Sequence, residues 1–277
     1  MYKKIGVAVA FSPRCEAIMS EASRLQKLFE AELVLIHIGE TDEAEKALLD
    51  RLVEQTRIEK NKLKIVWEKG DPASKIIAVS KREKLELLVA GALQKETFLK
   101  YYLGSVARKL IRKANCSVLI LINPTVTPLS LKKIVINGTE PEEYPYLIPK
   151  GLEVARLEKA SQVHIFRAIK LFGLSMALKG EDETEQDQVE TRRGLVGAEL
   201  EEINSFLMKI DTHGLKINVK AANGKPGYEL RKFTRKANAD LLIVKSPIHK
   251  LGWLDRIFPN YLEQVMEDLP SNLLLVK

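Results

Sequence analysis

The residues best suited to chemistry lie in one glycine-containing segment, LLVAGALQKETFLKYYLGSVARKL. Gly91 ends an apolar run that predicts a strand, and Gly104 and Ser105 open a stretch that predicts a helix. Glycine lets a ligand approach the backbone, and the first N–H groups of a helix can hold an anion together with a serine hydroxyl. In an open parallel sheet such a turn lies at the carboxyl edge, where ligands bind. The same serine also serves as a plain helix cap, so the segment alone leaves a ligand-binding and a structural role open.

No other motif for catalysis or metal binding occurs in the sequence. It contains no GxxxxGK[ST] loop, no GxGxxG, no HExxH and no GxSxG. The four histidines lack ligand spacing, and His37 and His164 fall inside predicted strands, where hydrogen-bonded core histidines are expected. Of the two cysteines, Cys116 is expected to be buried rather than nucleophilic. We therefore predict no catalytic residue, no metal site and no enzymatic activity.

The composition of the 277 residues indicates an ordinary globular protein of about two domains. With 45% hydrophobic and 29% charged residues, it is neither disordered, nor collagen-like, nor built on disulfides. No run approaches the ~18 apolar residues that cross a bilayer, and two cysteines suit a reducing compartment, so we expect a cytoplasmic protein with no membrane partner. The net charge of +7 would suit nucleic acid, but acidic and basic residues are mixed along the chain, which favours solvated helix faces instead.

Apolar runs alternate with helix-length amphipathic stretches along the first half of the chain. This alternation predicts a parallel sheet covered by helices on both faces. Strands are predicted at 4–9, 32–38, 64–67, 86–90 and 117–122, and helices at 15–29, 42–60, 72–81 and 103–114. The segment NPTVTPLS, 123–130, holds two prolines and no charge, and we expect it to be the linker.

The second half repeats this plan. KKIVINGTE at Lys132 echoes KKIGVAVAF, which begins 129 residues earlier. GKP at Gly224 and DLLIV at Asp240 each echo a segment 154 residues earlier, GDP and ELLVA. Consistent offsets indicate an internal duplication. The change from 129 to 154 predicts one insertion in the second half, near 171–215, which contains the acidic stretch GEDETEQDQVE.

These segments, in this order and twice over, resemble the universal stress protein family. KKIGVAVAFSP resembles the family's first strand and turn, and AELVLIHI resembles its second strand. GDPASKII resembles the exit of its third strand, and the segment from Gly91 to Ser105 resembles its glycine signature. The resemblance implies two tandem doubly wound α/β domains, 1–127 and 128–277. Each would be a five-stranded parallel sheet of order 3-2-1-4-5 with helices on both faces.

The resemblance also implies that, in those members of the family that bind ATP, the nucleotide lies at the carboxyl edge of the sheet. The positions carried over to the first domain include two that depart from the pattern. Ala10 stands where the family has an aspartate, and Gln94 where it has a glycine, so we expect a degenerate nucleotide site. The positions that remain as candidate nucleotide-binding residues are Ile38, Gly91, Gly104, Ser105 and Val106.

The second domain departs further from the family pattern. The aspartate is matched to Asn137, the first glycine to Lys245 and the second to Ile248. Pro259 and Asn260 replace the glycine–serine pair, and proline has no N–H to offer a phosphate. We therefore expect this domain not to bind ATP. The basic cluster of Lys245, His249 and Lys250 leaves open whether it binds a different anion.

Three functions are compatible with the sequence. The favoured one is a non-catalytic stress-response or regulatory protein with no required cofactor. The alternatives are an ATP-binding member that uses the first domain, with or without slow hydrolysis of ATP, and a nucleic-acid-associated protein that only the net charge supports. The resemblance also implies that the two domains form an intramolecular pseudo-dimer through their last strands. A homodimer and an unidentified protein partner stay open.

Overall fold

The computed structural model describes residues 1–40, 42–94, 101–169, 185–247 and 260–277. The chain divides into two compact units. The first contains Met1–Ser130 and, later in the chain, the described residues 245–247 and 267–277. The second contains Leu131–Val244 and the described residues 260–266. None of the helices in these ranges is long and apolar enough to cross a membrane.

Five parallel strands form the centre of the first unit. They lie side by side in the order β3-β2-β1-β4-β7, which confirms the predicted order 3-2-1-4-5. Their bounds are β1 (Lys4–Val9), β2 (Glu32–Ile38), β3 (Leu63–Glu68), β4 (Leu87–Gly91) and β7 (Ser117–Leu121). Between β4 and β7, the two-residue strands β5 (Leu93–Gln94) and β6 (Tyr101–Tyr102) form a separate antiparallel pair.

Four helices connect these strands. They are α1 (Cys15–Phe29), α2 (Glu43–Gln55), α3 (Pro72–Arg82) and α4 (Ser105–Lys113). Aspartates fix the starts of two of them: Asp42 accepts a hydrogen bond from the Ala44 N–H, and Asp71 accepts one from the Ser74 N–H. A side-chain oxygen at this position satisfies an amide that the first turn of a helix leaves unpaired.

The second unit has the same plan with four parallel strands in the order β10-β9-β8-β11. Its strands are β8 (Lys133–Asn137), β9 (Gln162–Ile169), β10 (Ile217–Asn223) and β11 (Leu241–Lys245). Its helices are α5 (Tyr144–Leu157), α6 (Glu185–Leu207), α7 (Pro226–Lys236) and α8 (Asn260–Met266). The predicted insertion near 171–215 contains α6, and its part at 171–184 lies outside the described residues.

The last strand, β12 (Asn272–Val276), belongs to the first unit rather than to the second. It pairs antiparallel with β7, with Leu274 opposite Leu119. Side chains hold both ends: the Asn272 Oδ1 accepts from the Ile122 N–H at 3.0 Å, and the Ser117 Oγ accepts from the Lys277 N–H at 3.1 Å. An apolar edge strand such as β7 requires a cover, and β12 provides it.

The unit boundaries therefore differ from the expected domains 1–127 and 128–277. The division after Ser130 falls at the end of the expected linker. The strand at 272–276 groups with the first unit, whereas the expected domain 128–277 includes it. Offsets between repeats show which strand matches which, but they carry no information about the unit with which a strand packs.

Leu275 tests how much β12 contributes to the first unit, because its side chain is fully buried. We expect Leu275→Ala to lower the free energy of unfolding by about 2–5 kcal/mol, the range for removing a buried leucine side chain. Met208→Ala is the matched control, since Met208 is 81% exposed. Denaturant titrations followed by circular dichroism measure both. Equal losses in the two variants would show that β12 is not part of the cooperative structure.

Candidate functional site

A cleft of about 720 Å³ opens at the carboxyl ends of β1, β2 and β4 in the first unit. It is assembled by three kinds of segment: strand ends, the starts of α1, α3 and α4, and the backbone around β5. The candidate nucleotide-binding residues all lie on its wall, namely Ile38, Gly91, Gly104, Ser105 and Val106, and Ala10 lies there too. The structure thus gathers into one cavity residues that are up to 96 positions apart in the sequence.

The two glycines of the cleft leave space for neighbouring side chains. A Cβ at Gly91 would lie 3.1 Å from Cδ1 of Ile18 on α1. A Cβ at Gly104 would lie 2.8 Å from Cδ1 of Leu93, and the φ of −66° at Gly104 is one that any residue adopts. Neither glycine has a left-handed backbone, and in both cases the atom nearest to an added Cβ is the end of a flexible side chain.

The start of α4 offers unpaired amides to the cleft. Gly104 is its N-cap and provides no side-chain acceptor, so the first N–H groups of the helix have no partner within it. Ser105 is exposed, and no acidic residue occupies the first turn. Such a helix end carries a partial positive charge and favours an anion.

The structure describes the side chain at only one of the two positions that depart from the family pattern, Ala10 and Gln94. Ala10 is exposed on the cleft wall, so no carboxylate stands there. Gln94 ends β5, but its side chain lies outside the described residues. The nearest aspartate along the chain to a lining residue is Asp71, next to Pro72, and it is already engaged. Its Oδ2 accepts from the Lys109 Nζ at 2.8 Å, which holds the pKa of the carboxyl well below its usual range.

Arg14 is a cleft residue that the sequence analysis did not identify. It is the N-cap of α1, and its Nη1 donates to the carbonyl oxygens of Ala92 and Ile122 at 3.3 and 3.4 Å. Its Cζ lies 5.7 Å from the centre of the Tyr101 ring. The sequence gives little signal for this role, because Arg14 stands in a turn outside every motif and meets its partners only in the folded sheet.

His37, His164 and Cys116 were expected to be core residues, and the structure gives the surroundings of each. His37 is buried, its Nδ1 lies 3.2 Å from the Val9 carbonyl oxygen, and its ring packs between Phe11 and Trp67. The expected hydrogen bond is therefore present. His164 differs, since its Nδ1 is buried without a hydrogen-bond partner. Burial raises the pKa of the Cys116 thiol to about 11, so this cysteine stays protonated and unreactive at neutral pH.

Strand register corrects one residue match in the second unit. Ile5 of β1 pairs with Leu87 in β4, as Ile134 of β8 pairs with Leu241 in β11. The residue of the second unit that corresponds to Ala10 is therefore Thr139, and not Asn137 as the sequence analysis had it. Resemblance to an aspartate favoured Asn137, but that match is two residues out of register.

A polar network lies near the carboxyl ends of β8 and β9, the edge of the sheet that holds the cleft in the first unit. Its arginine is buried, and its two glutamate side chains are partly exposed, Glu199 by 33% and Glu202 by 49%. At its centre is Arg167, which is 7% exposed. Its Nη1 donates to the Tyr144 hydroxyl and to the Glu202 Oε2, both at 2.6 Å, and its Nη2 forms an ion pair with Glu199. The Tyr144 hydroxyl in turn donates to the Gly138 carbonyl oxygen at 2.9 Å, and burial raises the pKa of this hydroxyl well above its usual range.

Helix α6 brings both glutamates to this network. Ile203, one residue after Glu202, is fully buried, and a Cβ at Gly138 would lie 3.5 Å from its Cδ1. Phe206 packs against the Tyr144 ring with centroids 5.8 Å apart. The predicted insertion thus covers the carboxyl ends of β8 and β9 with its own side chains.

The remaining candidates in the second half are mostly beyond the described structure. Lys245 ends β11 and is half-buried. Ile248, His249, Lys250 and Pro259 lie outside the described residues, and Asn260 starts α8 with its side chain undescribed. The proposed anion-attracting cluster therefore stays a prediction.

Comparisons with known proteins support the family resemblance. Residues 1–121 match the model of the universal stress protein family. A universal stress protein of Methanocaldococcus jannaschii is 29% identical over 143 residues, which are 45% of this chain and 84% of that protein.

Two solved structures share the fold over nearly the whole chain. A functionally unknown protein from Pseudomonas aeruginosa aligns with a TM-score of 0.74 at 20% identity, covering 100% of this chain and 92% of that one. A universal stress protein from Archaeoglobus fulgidus aligns with a TM-score of 0.67 at 15% identity, covering 99% and 98%. At these identities the likeness shows the α/β fold.

Proposed function

We propose that this chain, which carries a universal stress protein domain in residues 1–121, is a cytoplasmic, non-catalytic regulatory protein that senses a nucleotide-like ligand in its first unit. The observation that carries the proposal is the contrast between the two units. The first has a cleft of about 720 Å³ at the carboxyl edge of its sheet. The second has the Arg167 network and α6 beyond the ends of β8 and β9.

The chemistry of the cleft wall supports binding rather than turnover. Among its described residues, Ser12 and Ser105 carry hydroxyls and Arg14 carries a charge, while no histidine, carboxylate or cysteine lines it. General acid–base or nucleophilic catalysis requires such groups in mutual contact. A ligand held on this wall is recognised and released.

The alternative is an ATP-binding protein that uses the same cleft and hydrolyses ATP slowly. The open start of α4 favours it, because phosphates bind readily at such helix ends. The missing carboxylate at Ala10 disfavours it, since a magnesium ion prefers carboxylate oxygens.

Binding stoichiometry tests the contrast between the units. We expect one ligand per chain and not two, because Arg167, its glutamate partners and Ile203 occupy the ends of β8 and β9 in the second unit. Native mass spectrometry of the purified full-length chain, followed by gentle denaturation, counts and identifies an adenine compound that leaves with it. Two ligands per chain, or ligand retained after Gly104→Val has closed the first cleft, would contradict the assignment.

A further inference from the structure

Basic side chains are concentrated in one part of the second unit, residues 216–236, which we call the basic segment. Seven of its 21 residues are lysine or arginine and one is acidic, so it carries a charge of +6. The other 256 residues hold 37 basic and 36 acidic side chains. The net charge of the chain, +7, therefore comes almost entirely from this segment, although acidic and basic residues are mixed elsewhere.

Helix α7 turns these charges to its outer face. The apolar side of the helix is turned inward: Leu230 is buried, and the ring of Phe233 stacks on Phe166 of β9 with centroids 4.6 Å apart. The exposed side carries Lys225 at the N-cap and then Tyr228, Lys232 and Lys236. Steps of three and four residues keep side chains on one face of a helix, so they form a stripe roughly 17 Å long.

Lys220 of β10 extends this stripe from the sheet. It pairs in register with Phe166, and paired residues of neighbouring strands point to the same face, which here is the face that α7 covers. Burial, and after it the charge of Lys220, lowers the pKa of His164, whose ring centroid lies 5.4 Å from that of Phe233. Lys220 is itself exposed, and it therefore lies beside α7.

The matching segment of the first unit, residues 62–82, provides an internal comparison. It lies 154 positions earlier, the offset between the repeats, and contains six basic residues. Five of these form ion pairs with described carboxylates: Lys62 with Glu59, Lys64 with Glu83, Lys69 with Glu40, and both Lys75 and Arg82 with Glu68.

The lysines of the stripe are much less neutralised. Lys232 lies 3.9 Å from a carboxylate oxygen of Glu229, at the limit of an ion pair. Lys220, Lys225 and Lys236 form no ion pair with any residue that the structure describes. The stripe therefore keeps positive charge available for a polyanionic partner.

An exposed aromatic ring lies within the stripe and narrows the class of partner. The Tyr228 side chain is 49% exposed, and the centre of its ring lies 5.9 Å from the Arg231 Cζ and 6.0 Å from the Lys232 Nζ. Sites for single-stranded nucleic acid combine such rings, on which bases stack, with cations that follow the phosphates. A duplex keeps its bases stacked on one another, so the ring favours a single strand.

The same helix is poorly suited to a membrane surface. A helix that lies in the membrane interface needs large apolar side chains on its outer face. In α7 the apolar residues Leu230 and Phe233 are turned inward. An acidic protein would match the lysines, but it gives no reason for an exposed ring among them.

From these observations we propose that the stripe of Lys220, Lys225, Tyr228, Lys232 and Lys236 binds single-stranded nucleic acid. The lysines bind successive phosphates and a base stacks on Tyr228, without recognition of a particular base sequence. The proposal goes beyond the function proposed above and uses no residue of the cleft in the first unit.

Fluorescence anisotropy of a labelled oligothymidylate with the full chain, at several salt concentrations, tests the lysines. Four phosphate contacts predict that the logarithm of the binding constant falls with the logarithm of salt concentration with a slope of about −3, since each contact to a single strand contributes ~−0.7. Changing Lys225, Lys232 and Lys236 together to glutamine should weaken binding at low salt by about tenfold or more and reduce the slope by about 2.

The matched control changes Lys62, Lys64 and Lys69 together to glutamine. It lowers the net charge of the chain by the same amount, but at exposed lysines that are already paired with carboxylates in the first unit. We expect this variant to bind the oligonucleotide as the wild type does.

Tyr228→Ala tests the stacking. We expect it to weaken binding by roughly five- to a hundredfold, the usual effect of removing one aromatic ring from under a base, and Tyr228→Phe to retain the wild-type affinity. Because the ring is half exposed, neither change should alter the circular dichroism spectrum or the melting temperature.

Several results would overturn the proposal. Absence of binding by the wild type would do so, as would equal losses in the two lysine variants, which would reduce the effect to net charge. Unchanged binding by Tyr228→Ala would remove the case for a single strand. Tighter binding of polyglutamate, or of vesicles that contain phosphatidylserine, would assign the stripe to a protein or a membrane instead. None of these results bears on the cleft of the first unit, which the count of bound ligands tests separately.

Discussion

Replacing Glu199 and Glu202 together by glutamine is expected to lower the free energy of unfolding by about 1–3 kcal/mol, less than the ~3–5 kcal/mol for a fully buried pair, because the two glutamate side chains are 33% and 49% exposed. The change keeps the shape of both side chains and removes only their charge. It leaves the Arg167 guanidinium, whose side chain is 8% exposed, among neutral groups. Because an arginine cannot lose its proton in a folded protein, it has no means of escaping that cost.

The triple variant makes this prediction specific. Arg167→Met added to the two glutamine changes removes the buried charge itself, and we expect most of the lost stability to return. Glu201→Gln is the matched control, since Glu201 is exposed on the same helix between the two partners. Urea titrations of the four proteins give the comparison. Equal midpoints for the wild type and the double variant would show that α6 does not neutralise Arg167.

The second large effect is expected in the cleft of the first unit. Ala10→Asp with Gln94→Gly should strengthen Mg·ATP binding ten- to a hundredfold, which corresponds to about 1.4–3 kcal/mol. The aspartate supplies the carboxylate that Ala10 lacks, and the glycine at 94 lets phosphates approach the backbone. Both substitutions act together with the N–H groups at the start of α4, which the wild type and the double variant share.

Gly104→Val in the double variant is the accompanying test. A branched side chain at the N-cap of α4 would stand between the phosphates and the helix amides, so the gain should disappear. Calorimetry on the wild type, the double and the triple variant decides the matter. Micromolar Mg·ATP binding by the wild type, with no improvement in the double variant, would show that Ala10 and Gln94 are not what limits the site.

The sequence predicts the first unit well because its signals are local. The positions of the strands and helices follow from apolar runs alternating with amphipathic stretches, whereas the strand order 3-2-1-4-5 is what the family resemblance implies. Gly104 and Ser105 identify the start of α4 without any knowledge of its neighbours. Arg14 escapes the same reasoning, because its role depends on Ala92 and Ile122, which are 78 and 108 positions away. An arginine in a turn before a helix looks like any solvated residue.

In the second unit, contacts between residues far apart in the sequence make up even more of the site, so the sequence predicts less of it. Arg167 stands inside an apolar strand, and the glutamates that neutralise it lie in the insertion, 32 and 35 positions further on. No local pattern links them. The mismatch of Asn137 has another origin: chemical similarity to an aspartate outweighed strand register, which places Thr139 there.

The position of β12 also has a consequence for protein synthesis. β7 leaves the ribosome about 150 residues before the strand that pairs with it, because the whole of β8 to β11 is made in between. At translation rates of ~5–20 residues per second, the interval is roughly 8–30 s. Throughout that time a nascent first unit exposes the backbone of β7 along an edge of leucine, isoleucine and valine, the kind of edge that chains use to aggregate. Newly made chains therefore depend on β12, or on a chaperone acting in its place, to protect a sheet that is otherwise finished.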